Sequence, residues 1–300
     1  MIKLPVVDES IKNKRVLVRG DIDVPLKDGQ IVDDTRLKDI KPTLDFLLEN
    51  KCQVILCGHI GRPASADATA RQALSTKPIQ QYFPNIKVLE NLRFDPREEA
   101  NDEKLSKELA DLADVFVNES FAESYRLVAS LSVARFLPHF AGFRLAKEVE
   151  ILSKVMENPK RPLVVIIGGI KWETKEPAVV KMRSIAQTVI TSKDFPAGLD
   201  VKTEEIDKYQ EVIARAATIV WNGPFGKIED VTYQAGTRRL AELIASNKTA
   251  FKLVGGGDTV GFLDKLGLTE KFNWVCSGGG AMLHFLAGET LPGIELLMSS

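Results

Sequence analysis

Several short apolar runs in this chain of 300 residues end in residue types that can do chemistry. Val16–Val18 leads into Arg19-Gly20-Asp21-Ile22-Asp23, and Val54–Leu56 is followed by Gly58-His59-Ile60-Gly61-Arg62. Leu163–Ile167 leads into Gly168-Gly169-Ile170-Lys171, and Ile219–Trp221 into Asn222-Gly223-Pro224. Leu253-Val254 leads into Gly255-Gly256-Gly257-Asp258-Thr259, and Trp274–Cys276 into Ser277-Gly278-Gly279-Gly280. The first half offers Arg19, Arg36, His59, Arg62 and Arg126. Arginine presents a planar fork that grips phosphate or carboxylate through paired bonds, so this group suits a small polyanion. The second half offers glycines, lysines and acids. Glycines let a phosphate reach bare backbone N–H groups at the positive end of a helix. Asp258 could then hold Mg²⁺, which favours a carboxylate plus phosphate oxygens. Lys171 and Lys175 lie four apart, on one face if their segment is helical.

Each signal has a plainer alternative. A lone Gly-Gly-Gly is more often a turn, Asp258-Thr259 reads equally well as a helix cap, and two lysines alone are a solvated face. His139 and His284 are expected to be structural, and Arg93 and Arg97 to be ordinary surface charges. The weight lies in the ensemble, because packing alone does not explain so many unusual strand ends. In open α/β sheets, ligands bind outside the carboxyl ends of the strands.

The elements that must position these residues alternate in type. Expected strands are Arg15–Val18, Gln53–Cys57, Asp114–Val117, Leu163–Ile167, Thr188–Thr191, Thr218–Trp221, Phe251–Val254 and Trp274–Cys276, mostly continuous apolar runs as in parallel strands buried on both faces. Between them lie amphipathic stretches. Asn101 is the expected N-cap before Leu105, Leu109 and Leu112; Ile206, Tyr209, Ile213 and Ala216 mark a second apolar face, and Leu240, Leu243 and Ile244 a third. The prediction is an α/β fold with parallel sheets. The charged helical stretch Leu145–Glu157 should stop before Asn158-Pro159-Lys160-Arg161-Pro162, since proline disfavours helical geometry in the residue before it.

Hydrophobic residues are 44% and charged residues 27% of the chain, with a formal net charge of -1. That balance argues against a broad nucleic-acid or membrane footprint. Cys52, Cys57 and Cys276 lack zinc-site spacing and suggest reduced, buried thiols of a cytoplasmic protein. No secretory signal is expected at the start, and the apolar run Leu163–Ile167 is far too short to span a bilayer. There is no Walker A motif and no Gly-x-Gly-x-x-Gly after a strand, which excludes an ordinary P-loop kinase and weighs against a nicotinamide enzyme.

At these same residues the chain resembles phosphoglycerate kinase, from about Arg15 to Gly293 with internal gaps. Arg19-Gly20-Asp21-Ile22-Asp23-Val24-Pro25 is similar to the family's Arg-x-Asp-Phe-Asn-Val-Pro. Asp33-Asp34-Thr35-Arg36, His59-Ile60-Gly61-Arg62-Pro63, Glu90-Asn91-Leu92-Arg93-Phe94 and Ala141-Gly142-Phe143 are alike, as are Gly168-Gly169-Ile170-Lys171 with Lys175 and Trp221–Gly226 with Glu229. Gly255–Thr259, Ser277–Ala281 and Leu291-Pro292-Gly293 complete the series in the family's order. The resemblance implies two Rossmann-like lobes joined by a helical hinge: 1–150 for 3-phosphoglycerate or 1,3-bisphosphoglycerate, and a shortened 151–300 for Mg-ADP or Mg-ATP, with the C-terminal tail returning to the first lobe. Carried over by motif, Asp21, Asp23, Arg36, His59, Arg62, Arg126 and Arg161 form the acid site. Lys175, Asn222, Glu229, Gly255, Gly256, Gly257, Asp258 and Thr259 form the nucleotide site, with Asp258 on the metal. Arg36 and Lys171 stabilise the phosphoryl group in flight, and the lobes close about the hinge.

The chain departs from the family at Asp23, at Tyr125 and Val128 where the family has histidines, and at Thr174 where it has an acid. A strand–helix unit between Tyr82 and Glu90 is shortened. The segment that encloses adenine is missing between Thr191 and Ala197, where Trp172 or Phe195 could take its place. The expected protein is a cytoplasmic monomer that performs reversible phosphoryl transfer, with no nucleic-acid or membrane partner. The alternatives are a non-catalytic binding relative and a kinase for another small carboxylic acid.

Overall fold

The computed structural model describes residues 2–61, 74–169 and 171–298. The chain divides into two compact units, Ile2–Glu150 with the tail from Leu291, and Ile151–Thr290. The division falls inside the helix Phe143–Glu157, ahead of the proline-containing turn at 158–162.

The first unit contains β1 (Arg15–Gly20), a two-stranded hairpin of β2 (Leu26–Lys27) and β3 (Gln30–Ile31), then β4 (Gln53–Cys57), β5 (Lys87–Val88), β6 (Val115–Glu119) and β7 (His139–Ala141). Its parallel sheet runs β5-β4-β1-β6-β7. Strand order therefore reverses between β1 and β6, and a doubly wound sheet opens a crevice at the carboxyl ends there. Val16, Leu17 and Val18 of β1 and Phe116 and Val117 of β6 are fully buried, because helices cover both faces of a parallel sheet. The tail packs here as well. Gly293 N donates to Ser124 O at 3.0 Å, Asn118 Nδ2 to Gly293 O at 3.2 Å, and Ile294 and Leu297 are buried.

The second unit contains β8 (Leu163–Ile167), β9 (Thr188–Thr191), β10 (Thr218–Asn222), β11 (Phe251–Gly255) and β12 (Trp274–Cys276), in the parallel order β12-β11-β10-β8-β9. Its order reverses between β8 and β10, so the corresponding crevice lies between their carboxyl ends. Its core includes Trp221, Leu240, Ile244, Val254 and Leu263. Both units are thus α/β with parallel sheets.

Three local expectations are corrected. The helix Glu103–Ala110 is capped by Asp102, whose carboxylate accepts from Leu105 N at 2.9 Å; Asn101 sits at φ 52 in the turn before it. The stretch from Thr203 to Arg215 is two short helices, Thr203–Asp207 and Gln210–Arg215. Phe195 is buried against Phe225 and Tyr209, so it belongs to the core and is not positioned to cover a ligand. Among the described residues, no helix is long and apolar enough to cross a membrane. All three cysteines are free and buried, and burial pushes the Cys57 thiol up to about 12.

Candidate functional site

The first unit gathers charge where its strand order reverses. β1 ends at Gly20, which delivers Asp21 and Asp23 to the crevice. The helix Thr35–Glu49 starts beside them, with Thr35 N donating to Asp33 Oδ1 at 2.9 Å, and carries Arg36 in its first turn. Arg36 Nη1 donates to Asp21 Oδ1 at 2.5 Å. Asp21 is buried and its Oδ2 has no partner, and that burial raises its pKa against the pull of Arg36. Asp23 Oδ1 accepts from Gly61 N at 2.8 Å, and its Oδ2 lies 3.9 Å from His59 Nε2.

His59 follows β4. Its Nδ1 lies 3.0 Å from Arg19 Nη2 and its Nε2 lies 3.5 Å from Arg93 Nη2. Burial, then the charges of Arg19, Arg93, Arg126 and Arg36, push its pKa down to about 2. The imidazole is therefore neutral at physiological pH. Both ring nitrogens face an arginine N–H, and the shorter contact, to Arg19, favours Nδ1 as the acceptor and Nε2 as the protonated nitrogen.

Arg19 is 1% exposed and held by Ser130 Oγ at 3.0 Å and by its neighbour's carbonyl. Ser130 in turn donates to Glu98 at 2.5 Å. Arg93, expected on the surface, has a side chain only 6% exposed and pairs with Glu99 at 3.1 Å and Glu123 at 3.5 Å. Arg97 is a surface residue, paired with Asp95 and Glu108. Arg126 pairs with Glu123 at 2.6 Å and Glu99 at 3.3 Å. Arg93, Glu99 and Glu123 are members of this cluster that composition alone does not reveal. The signal available for Glu123 was its place in the loop between β6 and Arg126.

Asp21, Asp23, Arg36, His59 and Arg126 are thus brought together. Arg62 lies outside the described residues. Arg161 is a residue of the second unit. It precedes β8 at that sheet's amino end and donates to Ile185 O at 2.9 Å, so its contacts do not join it to the cluster.

In the second unit, glycines set how closely backbones approach. Gly168 N donates to Asn222 O at 2.9 Å across the β8–β10 crevice. A Cβ on Gly168 would lie 2.3 Å from Pro224 O, and one on Gly223 would lie 2.2 Å from Gly168 O. Lys175 ends the short 3₁₀ turn Trp172–Thr174 and precedes the helix Glu176–Arg183. Its Nζ donates to Gly168 O, and burial lowers its pKa against the opposing pull of Asp258. Lys171 is exposed on the other side of that turn, so the two lysines do not share a helical face. Above the turn, Lys193 Nζ lies 4.2 Å from the centre of the Trp172 ring.

β11 ends at Gly255, and Gly256, at φ 99, turns the chain into the helix Gly257–Lys265. No side chain caps that helix, and a Cβ at Gly257 would meet open space. Its first N–H groups are therefore open to an anion. Asp258 stands exposed in the first turn, and a cavity of about 240 Å³ there is lined by Glu229, Gly257, Asp258, Gly261 and Lys265 among others. Asn222 is buried and donates from Nδ2 to Gly279 O at 3.1 Å, and Thr259 Oγ1 accepts from Gly223 N at 3.0 Å. These two hold strand ends together, while Glu229, Gly257 and Asp258 are exposed and line the cavity, and Lys175 and Gly256 are partly buried.

Comparison with known proteins gives one answer. The family model described as Phosphoglycerate kinase matches residues 6–87, 84–192 and 176–289. The phosphoglycerate kinase of Dictyoglomus turgidum is 33% identical, covering 97% of each chain, and that of Roseiflexus sp. is 35% identical, covering 99% of each. The first alignment runs over 383 residues, more than this chain contains, so it opens internal gaps. Among solved structures, phosphoglycerate kinase from Coxiella burnetii matches with a TM-score of 0.82 at 29% identity, covering 96% of this chain and 97% of that one. The enzyme from Pyrococcus horikoshii OT3 matches with a TM-score of 0.83 at 25% identity, covering 96% of each.

Proposed function

The chain belongs to the phosphoglycerate kinase family, and we propose that it carries out Mg²⁺-dependent phosphoryl transfer between 1,3-bisphosphoglycerate with ADP and 3-phosphoglycerate with ATP. The family is one of glycolytic phosphotransferases. What carries the reading is the pairing of two crevices. An arginine–histidine cluster sits where the strand order of one sheet reverses, and an uncapped glycine helix start with Lys175 and Asp258 serves the other.

We assign 3-phosphoglycerate to the first unit, held by Arg36, His59, Arg62 and Arg126; Arg161, whose contacts lie within the second unit, is left out of the set. The nucleotide falls to the second unit. There the N–H groups from Gly256 to Asp258 and the Lys175 ammonium meet its phosphates, Glu229 reaches the ribose, and Asn222, Gly255 and Thr259 hold the strand ends behind them. Mg²⁺ fits the donors present. Asp258 offers one exposed carboxylate beside the phosphate position, and no group of three or more acidic, histidine or cysteine residues among the described residues could hold a metal alone. An ion shared with phosphate oxygens is how Mg²⁺ is commonly bound, and it would offset their charge.

Phosphoryl transfer needs positioning and charge stabilisation more than covalent help from the protein. In the direction of ATP consumption, a substrate carboxylate oxygen bonds to the γ-phosphorus as the bond to the ADP oxygen breaks. Arg36 and Lys171 supply positive charge to the group in transit. Neutral His59 donates a hydrogen bond without adding charge. We expect the enzyme to work in the cytoplasm as a monomer. A coupled assay of the purified protein, run in both directions with Mg²⁺ and millimolar substrates, tests the reading; no transfer in either direction rules it out.

A further inference from the structure

We propose that Glu123 is a built-in counter-anion of the first unit's arginine cluster, which the substrate must displace, so that it sets both the affinity of that site and its preference for phosphorylated acids. The inference rests on the reading of this cluster as the acid-binding site.

Glu123 lies in the loop after β6, with a side chain 6% exposed. Its Oε1 accepts from Arg126 Nε at 2.6 Å and lies 3.5 Å from Arg93 Nη2. Its Oε2 lies 3.6 Å from His59 Nδ1 and 4.0 Å from Arg19 Nη2. One carboxylate thus reaches Arg126, Arg93, His59 and Arg19 together. Glu99 adds a second acid to Arg93 and Arg126. Asp21 holds Arg36, the remaining arginine of the cluster among the described residues. Among the described residues, the guanidinium charge is therefore already balanced before any ligand arrives.

An anion site draws its strength from donors that lack a partner. A phosphate needs the paired N–H groups that Glu123 now occupies, and it meets a like charge while they remain occupied. Two outcomes follow from charge alone. Binding is weakened by the exchange, and the exchange favours an incoming group of higher charge than a carboxylate. A phosphate dianion gains more from the arginines than Glu123 loses. A second monocarboxylate gains nothing, so unphosphorylated acids are rejected. Arg126 keeps its fork pre-oriented throughout, because Glu123 holds it when the substrate does not.

The test uses the full chain and inorganic phosphate as probe, titrated calorimetrically into wild type, Glu123→Gln and Glu99→Gln. Glutamine keeps an acceptor for Arg126 and removes only the charge, and Glu99 is half-exposed, so its variant guards against a folding defect at the more buried position. We expect Glu123→Gln to bind phosphate at least about tenfold tighter at low salt, the scale of removing one nearby like charge, with the gain shrinking as salt rises. Glu99→Gln should show a smaller gain of the same sign. In the coupled assay, the KM for 3-phosphoglycerate should fall by more than kcat changes. Folded variants that bind phosphate no tighter than wild type overturn the inference. If wild type transfers no phosphoryl group, the proposed function falls, and the phosphate titration still decides the role of Glu123.

Discussion

Replacing Arg36 by alanine separates what this residue does for the fold from what it does for the reaction. Its guanidinium donates to Asp21 at 2.5 Å, and Asp21 is buried with its second oxygen unpartnered. Unit charges about 4 Å apart attract by roughly 4 kcal/mol at an effective dielectric of about 20. Removing one member of a buried pair costs about 3–5 kcal/mol, but Arg36 is 33% exposed and solvent screens part of that, so a loss of about 2–3 kcal/mol is expected. The loss should depend on pH. Burial already raises the Asp21 pKa, and without Arg36 it rises further. A carboxyl whose folded pKa is raised favours folding when protonated, and that contribution fades as pH climbs from its unfolded value of about 3.9 through the folded one. The deficit of Arg36→Ala should therefore be small near pH 4 and larger at pH 7.5, as read by urea melts at both. Adding Asp21→Asn should restore most of the stability. It should not restore kcat, which we expect to fall about a hundredfold or more, near 2.7 kcal/mol, when a donor to the transferring group is lost. If the double variant regains kcat, Arg36 acts by holding Asp21, and the assigned role in the transfer is wrong.

Gly256→Ala and Gly257→Ala form a contrasting pair. The first forces an L-residue to φ 99 and should cost about 1–3 kcal/mol in chemical denaturation; the second meets open space and should leave stability nearly unchanged while weakening ADP binding by calorimetry. Lys175→Met should lower ADP affinity about tenfold or more, because its ammonium is the partly buried cation beside the glycine turn; unchanged affinity would remove it from the site. Glu119 accepts from Leu145 N and Arg144 N at 3.0 Å and from Thr43, yet burial raises its pKa to about 7. Its protonated form therefore favours the fold, and wild-type stability should decline between about pH 4.3, its unfolded value, and pH 7, a decline that Glu119→Gln should flatten in melts across that range. With Phe195 buried and Lys193 over the Trp172 ring, we expect few polar partners to distinguish adenine from guanine, so kcat/KM should favour ATP over GTP by less than about a hundredfold.

How much of this was legible depends on how far apart the cooperating residues are. The central strands announced themselves, because burial on both faces leaves a local mark: Leu163–Ile167 is a run of apolar residues and every one is buried. The edge strands of the second sheet, Thr188–Thr191 and Trp274–Cys276, were legible too, but those of the first sheet were not. Lys87–Val88 and His139–Ala141 are two and three residues long and only partly buried, so their identity comes from the strand beside them rather than from their own pattern. The Asn101 cap was missed by one residue, within the range over which several polar residues compete for the same N–H groups. Charge pairing was least legible of all. Arg19, Arg93 and Arg126 are visible as arginines, but whether they are free or paired depends on Glu98, Glu99 and Glu123, brought to them by folding across as many as 104 positions of chain between Arg19 and Glu123.

The glycines teach a related lesson about reading strand ends. All of those ending β8, β10, β11 and β12 suggest a phosphate cradle when seen in sequence. What a Cβ would meet sorts them. At Gly168 and Gly223 it would strike the facing backbone, at Gly255 the Met282 sulfur at 2.4 Å, and at Gly279 the Cα of Gly256, also at 2.4 Å. These glycines are demanded by close packing and would be needed with no ligand at all. Gly256, Gly257 and Gly280 are different, since a Cβ at any of them would strike nothing in the protein within 3.4 Å; the first two stand together at one helix start. The first is glycine because the turn requires a positive φ. At the second no clash and no positive φ calls for glycine. An absent side chain that the fold does not require, at the open start of a helix, is what the proposed nucleotide site calls for, since a phosphate approaching those N–H groups needs the room.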